Sequence, residues 1–364
     1  MRFPGFGGEW EREKLRDKCS FYSGGTPSSS NKSYYNGEIP FIRSGEISGD
    51  STELFLSEFG LNNSSAKMVD IGDLLLALYG ATSGQIAISK IRGAINQAIL
   101  CIKSSYDNIF LKSVWEKHVD KILQAYLQGG QGNLSADIVK NLSFYFPSLD
   151  EQNKISKLIV LIDERIATQN KIIEDLKKLK VAIRDKQLNT IRKHYGLNYQ
   201  ICDLLDYEQP TKYVVTDTEY SEDRSKTPVL TANKAFILGY TDESFGVYDK
   251  CACIILDDFT LDCKYVDFPF KVKSSAIKIL TVKNGCSLRY VYEYLNYMNL
   301  ETTEHKRHYI SEIEPMIIAY PTDKKGIDDF NNIMSSFESK IEIENKYLQS
   351  LLTQKVYLLS NMFI

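Results

Sequence analysis

The chain has 364 residues, 43% of them apolar and 25% charged, which is the composition of a globular protein with material for two cores of ordinary domain size. A net charge of -3 is a mild argument against nucleic-acid binding, because neutralising phosphates normally leaves a basic footprint. No apolar run approaches the roughly 20 residues of a membrane span, and MRFPGFGGEW lacks the apolar stretch of a signal peptide, so a cytoplasmic protein with no membrane partner is expected.

In chain order, the first module opens with Trp10 to Phe21 and a turn-rich stretch, SGGTPSSSNKSYYNGEIP, whose Gly, Pro, Ser and Asn content excludes a regular element. Strands are expected at Pro40–Ile42, Leu74–Leu78, Ile86–Ile88 and Ile99–Ile102, each a short apolar run bounded by Gly or Ser. Between the second and third lies YGATSGQ, Tyr79 to Gln85. Its glycines permit close backbone approach to a ligand and its hydroxyl and amide groups suit phosphate oxygens or base edges; the same residues also read as a plain hairpin turn. A helix over Phe110–Leu127 should stop at Gly129 and Gly130, with a loop, QGGQGNLS, beyond it. Ile138–Pro147 then reads as one more strand.

From Glu151 to about Lys193 the apolar residues Ile155, Ile159, Ile162, Ile166, Ile173, Leu176 and Ile183 alternate steps of four and three, which predicts a long heptad helix. A second such helix runs from Lys325 to Ile364 on Phe330, Met334, Phe337, Ile341, Leu348, Leu351 and Leu358, each 175 residues after its counterpart. Polar seam residues repeat as well, Gln169 answering Glu344 and Lys180 answering Lys355. The segments before the helices also correspond: TPVLTANKAF from Thr227 parallels IPFIRSGEI from Ile39, and MIIAYPTD from Met316 parallels FYFPSLD from Phe144. A chain written twice presents two similar binding surfaces, a plan that fits a two-headed reader better than a single-pocket enzyme. The basic run Lys177, Lys178, Lys180, Arg184, Lys186, Arg192 and Lys193 reads by itself as a solvated helix face.

Seven cysteines at irregular spacings, with no CxxC, read as reduced thiols. Cys251, Cys253, Cys263 and Cys286, with His305 and His308 downstream, lack the tight paired spacing of a zinc site, and no metal is expected.

GEWE from Gly8, SGGTPS from Ser23, YYNGEIPFIRSGEI from Tyr34, YGATSGQIAI from Tyr79, NQAILCI from Asn96 and FPSLDEQNKI from Phe146 follow one another in an order that closely resembles the specificity subunit of type I restriction-modification systems. In the second half LLDYEQPTKYVV from Leu204, TPVLTANKAFILGYT from Thr227 and LDDFTLDCKYVDFPFKVKSSAIKIL from Leu256 extend the resemblance to nearly the whole length. It implies an α+β protein with an internal pseudo-twofold repeat. Two mixed α/β target recognition domains, 1–149 and 196–322, would be separated by two long helices, 150–195 and 323–364, forming an antiparallel coiled coil. It further implies a non-catalytic chain whose partners are double-stranded DNA, two adenine methyltransferase subunits and restriction-translocase subunits. No cofactor is expected here; S-adenosylmethionine would belong to the methyltransferase.

The resemblance implies DNA contacts at Gly24, Gly25, Thr26, Tyr34, Arg43, Ser44, Tyr79, Thr82, Ser83 and Gln85 in the first module. In the second it implies Gln209, Thr211, Lys212, Tyr213, Thr231, Asn233, Lys234 and Lys264. The second module has EQPTKY and DDFTLDC in the regions of SGGTP and YGATSG, so contacts do not transfer between halves. The residue types suit readout: Arg and Lys reach guanine O6 and N7, Asn and Gln pair with adenine N6 and N7, and Ser or Thr serve base or backbone. No Asn-Pro-Pro or Asp-Pro-Pro tetrapeptide of an adenine methyltransferase is present, and no GxGxxG follows a strand.

Two other functions compete. Pro321, Asp323, Glu338 and Lys340 mimic the metal-binding set of a nuclease, but the last two fall inside the heptad helix. A stand-alone coiled-coil module that binds protein is compatible with the acidic net charge. For the coiled coil, facing residues of an antiparallel pair have a constant number sum; a sum of 524 sets Lys180 opposite Glu344 and Gln169 opposite Lys355 as register keys.

Overall fold

The computed structural model describes residues 2, 5–126, 134–194, 196–233, 235–283, 285–302 and 306–363. Gly129 and Gly130, most of QGGQGNLS, Lys234 and His305 lie outside the described residues. Contacts divide the chain into two compact units, 1–170 with 346–364, and 171–345.

The first unit opens with β1 (Glu11–Lys14), α1 (Leu15–Lys18) and β2 (Cys19–Ser23), then β3 (Tyr35–Ile42), β4 (Leu54–Leu56), α2 (Glu58–Asn62) and β5 (Lys67–Val69). There follow β6 (Leu74–Ala77), β7 (Ile86–Ile88), β8 (Gly93–Ile95), β9 (Ile99–Ser104), α3 (Asn108–Tyr126), α4 (Ala136–Asn141), β10 (Ser143–Phe146) and α5 (Leu149–His194). Two four-stranded sheets, β2-β9-β6-β7 and β4-β3-β8-β5, and a ribbon of β1 with β10 result. All pairings are antiparallel except β3 with β8. Leu74 to Ala77 form an uninterrupted apolar run because β6 is covered on both faces. Leu74 and Leu76 pack with Trp10, Trp115 and Phe146, whereas Leu75 and Ala77 pack with Ile42, Val69 and Ile95.

Ile138–Pro147 is not a single strand. Ser135 Oγ accepts the amide of Ile138 at 3.1 Å and caps α4, which buries Val139 before the chain extends into β10. Helix α5 is then anchored by its first turn. The carboxylate of buried Glu151 accepts from Arg2 at 2.7 Å, and Gln152 accepts the amide of Asp107 at 3.1 Å while donating to the Pro147 carbonyl at 2.9 Å.

The second unit repeats this order with β11 (Gly196–Gln200), α6 (Ile201–Leu204), β12 (Leu205–Glu208), β13 (Thr227–Leu230), β14 (Ile237–Thr241), β15 (Cys253–Asp257) and β16 (Cys263–Val266). It continues with β17 (Lys271–Val272), β18 (Ile277–Val282), α7 (Leu288–Met298), β19 (Ile317–Pro321) and α8 (Lys324–Met362). Its sheets are β12-β18-β15-β16 and β14-β13-β17, the latter again with one parallel pair, β13 with β17, and β11 pairs β19 as β1 pairs β10. The duplication read from the heptads therefore extends to strand order. Counterparts of α2 and β5 are missing among the described residues.

Both long helices run through both units, and inside each unit they are antiparallel. In the first, Ile155 and Ile159 pack with Leu358, Leu359, Met362 and Phe363, and Lys355 Nζ lies 2.7 Å from Asp163. In the second, Leu188 joins Phe330 and Met334 in the core, and Lys180 Nζ lies 2.9 Å from Glu338. Both ion pairs have the residue-number sum 518 (163 with 355, 180 with 338), which corrects the expected 524. Glu344 pairs with Lys340 on its own helix at 2.6 Å. The difference comes from α7. Glu293, 1% exposed, reaches Lys180 at 2.7 Å, so the lysine is matched by a third helix that a two-helix argument does not contain. The basic run is thus not wholly a solvated face, since Lys180 and Arg184 both turn inward toward Glu293. Among the described residues no helix is long and apolar enough to cross a membrane.

Candidate nucleic-acid interface

Parallel pairing of β3 with β8 brings their C-terminal ends side by side, where the Asn96 amide donates to the Ile42 carbonyl at 3.3 Å. The segment after β2 joins them through Gly25 N–H to Ile95 O at 3.2 Å, and the end of β6 through Leu78 N–H to Ala98 O at 2.8 Å. Four loops therefore meet: 24–26, 43–46, 79–85 and 96–98. A rigid scaffold that collects loops at one edge is a common way to build a recognition surface.

Gly24 and Gly25 serve packing. A Cβ on Gly24 would stand 1.7 Å from the Ile95 carbonyl oxygen, and one on Gly25 would stand 2.5 Å from Ser65 Cβ. Thr26 is exposed and donates to the side-chain oxygen of Gln97. Arg43 is at the surface, but its guanidinium is held by Glu46, with Nε and Nη2 each at 3.0 Å, and by Glu53. These hydrogen bonds push its pKa further above the ordinary arginine value, so Arg43 can turn to another acceptor only by leaving two carboxylates. Ser44 begins the short turn Ser44–Glu46. Tyr34 does not join the group; it precedes β3 at the opposite end from Arg43 and packs its ring 5.5 Å from Phe59.

YGATSGQ is the β6–β7 hairpin loop. Gly84 adopts φ +86°, a left-handed conformation that favours glycine, and its carbonyl accepts from Trp115 Nε1 at 2.8 Å, which ties the loop to α3. Ser83 Oγ donates to the Leu78 carbonyl at 3.0 Å, Thr82 is half-buried, and Tyr79 and Gln85 keep exposed side chains. Ser83, Gly84 and Gln85 line a cleft of about 360 Å³ with Ile47, Trp115 and Glu116.

The second unit distributes its candidates more widely. Gln209, Thr211 and Lys212 are exposed on and before the turn Pro210–Tyr213, whereas Tyr213 is 4% exposed, edge-on to Tyr248 at 5.2 Å, and belongs to the core. Glu208 binds Lys212 at 2.8 Å, Lys250 at 2.7 Å and the Tyr213 hydroxyl at 3.1 Å. Burial pushes the Glu208 carboxyl up, but those three hydrogen bonds outweigh it and bring it down to about 2. Thr231 is buried, and Asn233 is exposed with its carbonyl oxygen capping the Ala235 amide at 3.1 Å. Lys264 lies mid-strand on β16, registered with Ile255, away from the end of β13. The nuclease-like set is dispersed: Asp323 caps the Gly326 amide, Glu338 binds Lys180 and Arg289, and Lys340 binds Glu344.

A buried ion pair shapes the same edge of this unit. Glu243 lies 2.6 Å from Lys271 Nζ, which is fully buried, and its other oxygen accepts from the Thr216 amide and hydroxyl and the Asp217 amide at 2.9, 2.5 and 2.9 Å. Burial raises the Glu243 carboxyl, yet the bonds from Lys271 and Thr216 prevail and lower it to about 2. A carboxyl with a depressed folded pKa contributes stability above its unfolded value, near 4.5, and loses it as pH falls through the folded value. The urea midpoint of the second unit is therefore expected to fall between about pH 4.5 and about pH 2, and Glu243→Gln should flatten that slope while lowering the midpoint at neutral pH. An unchanged slope in the variant would show that Glu243 is not linked to folding.

A family model described as "Type I restriction modification DNA specificity domain" matches residues 7–178. The chain is 48% identical over 125 residues to the Type I restriction enzyme EcoR124I/EcoR124II specificity subunit of Escherichia coli, a match covering 33% of this chain and 31% of the relative. It is 24% identical over 218 residues to the Type I restriction enzyme MjaIX specificity subunit of Methanocaldococcus jannaschii, covering 57% and 50%. The matches thus span half or less of these relatives' own lengths. Among solved structures, the S subunit of a type I restriction-modification system from M. genitalium superimposes with a TM-score of 0.62 over 100% of this chain and 99% of that one, at 13% identity. A chain from a structure of type I R-M complex assembly and conformational transition gives 0.59 over 97% of each, also at 13% identity. The fold of the whole chain is that of type I specificity subunits.

Asn96, Gln97 and the segment Lys273–Ser275 were not singled out by sequence reasoning, although both stretches stand within the resembling NQAILCI and KVKSSAIKIL. The available signal was the shared Ala-Ile that follows each: Ala98-Ile99 and Ala276-Ile277.

Proposed function

We propose that this chain is the non-catalytic DNA-recognition subunit of a type I restriction-modification complex, each unit reading one block of a bipartite target. The observation that carries the reading is the duplication of one loop-bearing edge: in both units the ends of a parallel strand pair gather loops rich in hydroxyl, amide and cationic side chains. Such side chains read base edges, while phosphate contacts fix orientation. On this reading 1–149 and 196–322 are the target recognition domains, and 150–195 and 323–364 form the spacer that docks two methyltransferase subunits. Those subunits would bring S-adenosylmethionine and the pocket for an extruded adenine, and restriction-translocase subunits would complete a cytoplasmic assembly.

The test is to express the chain with its methyltransferase and sequence the methylated adenines. Two short blocks separated by unspecified bases are expected, with centres about 10 base pairs apart if each unit addresses one major-groove face. A continuous motif would refute the two-reader scheme.

A further inference from the structure

We propose that the loop joining each unit's parallel strand to the next antiparallel strand is its base-reading element, with Gln97 the reader in the first unit and Lys273 in the second; this rests on the DNA-reading function proposed above. The equivalence of the two loops follows from backbone hydrogen bonds rather than from sequence. Asn96 N–H donates to the last carbonyl of β3, Ile42, at 3.3 Å, and Lys273 N–H donates to the last carbonyl of β13, Leu230, at 2.9 Å. Gly25 N–H to Ile95 O at 3.2 Å is matched by Val215 N–H to Val272 O at 2.9 Å. Leu78 N–H to Ala98 O at 2.8 Å is matched by Asp258 N–H to Ala276 O at 2.9 Å. Within the loops, Asn96 Oδ1 caps the Ala98 amide at 3.1 Å as Ser274 Oγ caps that of Ala276 at 3.0 Å. The second loop is longer by one residue, so the place of Asn96 is shared by Lys273 and Ser274.

The neighbouring polar groups leave these two side chains available. Arg43 is engaged by two carboxylates, Ser83 by a backbone carbonyl and Asn96 by its own cap, whereas Gln97 is exposed at the meeting point of the loops. The Thr26 hydroxyl donates to Gln97 Oε1, which fixes the amide orientation and leaves a second lone pair on that oxygen and both N–H groups free. An amide so presented matches adenine, accepting from N6 and donating to N7. In the second unit Lys212 and Lys271 are held by Glu208 and Glu243. Lys273 is exposed instead. Its Nζ sits 5.0 Å above the Tyr220 ring and 3.0 Å from the Tyr220 hydroxyl, a support that orients an ammonium without neutralising it. That group suits guanine O6 and N7.

The test uses the complex of this chain with its methyltransferase and maps methylated motifs for the unsubstituted protein, Gln97→Ala, Lys273→Ala and Lys273→Arg. Gln97→Ala should make one adenine position degenerate in one block only, with roughly 10- to 100-fold loss of preference there. Lys273→Ala should do the same at one guanine of the other block, and Lys273→Arg should keep that guanine. The untouched block reports that each variant is folded and assembled. A bipartite motif unmoved by either substitution, or methylation lost uniformly across sequences, overturns this inference alone. A continuous motif in the unsubstituted complex overturns the two-reader function and this inference with it.

Discussion

Lys278→Ala is expected to destabilise the second unit by about 3–5 kcal/mol, the range for removing one partner of a buried ion pair. Lys278 and Asp258 are 1% and 2% exposed, with Nζ and Oδ2 3.5 Å apart, and the ammonium also lies 5.2 Å from the centre of the Tyr207 ring. The other oxygen of Asp258 accepts the amides of His308 and Tyr309 at 3.1 and 2.7 Å. Alanine would leave an uncompensated carboxylate inside the protein, still committed to two backbone donors. The double variant Lys278→Met with Asp258→Asn should recover part of the loss, because a neutral amide still accepts from those donors and methionine refills the volume. Urea titration at neutral pH measures both, read from the midpoint at unchanged slope. A loss below about 1 kcal/mol for the single variant would show that water reaches Asp258.

Gly24→Ala should cost the first unit about 3 kcal/mol or more, at the upper end for inserting a methyl group into a packed site. The added Cβ would stand 1.7 Å from the Ile95 carbonyl oxygen and 2.4 Å from its carbon, and those are backbone atoms of β8 that cannot swing aside. Any relief requires separating the segment after β2 from β8, which breaks the Gly25–Ile95 hydrogen bond and opens the edge where the loops meet. Gly45→Ala is the control: its Cβ meets nothing within 4 Å and its backbone is not left-handed, so a change within about 0.5 kcal/mol is expected. Equal midpoints for the two variants would contradict the close approach at Gly24. On the proposed function, methylation mapping on Gly24→Ala should show the first block weakened throughout, unlike the single-position change expected at Gln97.

The long helices were legible because a heptad is a local pattern; their expected starts at Glu151 and Lys325 fall within two residues of those observed, Leu149 and Lys324. Ile86–Ile88 and Ile99–Ile102 were legible as strands for a similar reason, since short apolar runs rich in β-branched isoleucine have few other ways to be buried. Ile138–Asn141 was misread because its apolar residues suit either structure, and the Ser135 cap, which decides for helix, is a single hydrogen bond. Loops 24–26 and 79–85 of the candidate site could be located from Gly, Ser and Thr content, whereas 96–98, Asn-Gln-Ala, carries no such signal. Which of their side chains are available could not, because Arg43 is engaged partly by Glu53, Lys250 reaches back 42 residues to Glu208, and the Gly24 constraint is set by Ile95.

By itself, then, the sequence determined what depends on near neighbours and on repetition: two long helices and two strand-rich modules in the same order. The stretch SGGTPSSSNKSYYNGEIP, expected to hold no regular element, instead contributes Tyr35–Pro40 to β3, because pairing with β4 supplies the backbone partners that its own composition does not signal. Tertiary structure decided the coiled-coil register, because Glu293 on α7 supplies Lys180 with a partner outside the helix pair and removes the need for one at Glu344. It also decided which candidate residues belong to the surface, since Tyr213 is drawn into the core and Tyr34 to the far end of β3, while Gln97 and Lys273 come forward beside strands distant in sequence. The physical reason is the same in each case. An ionic or polar side chain near a folded surface goes where its charge or hydrogen bonds are best matched, and the matching groups here come from elements tens of residues away.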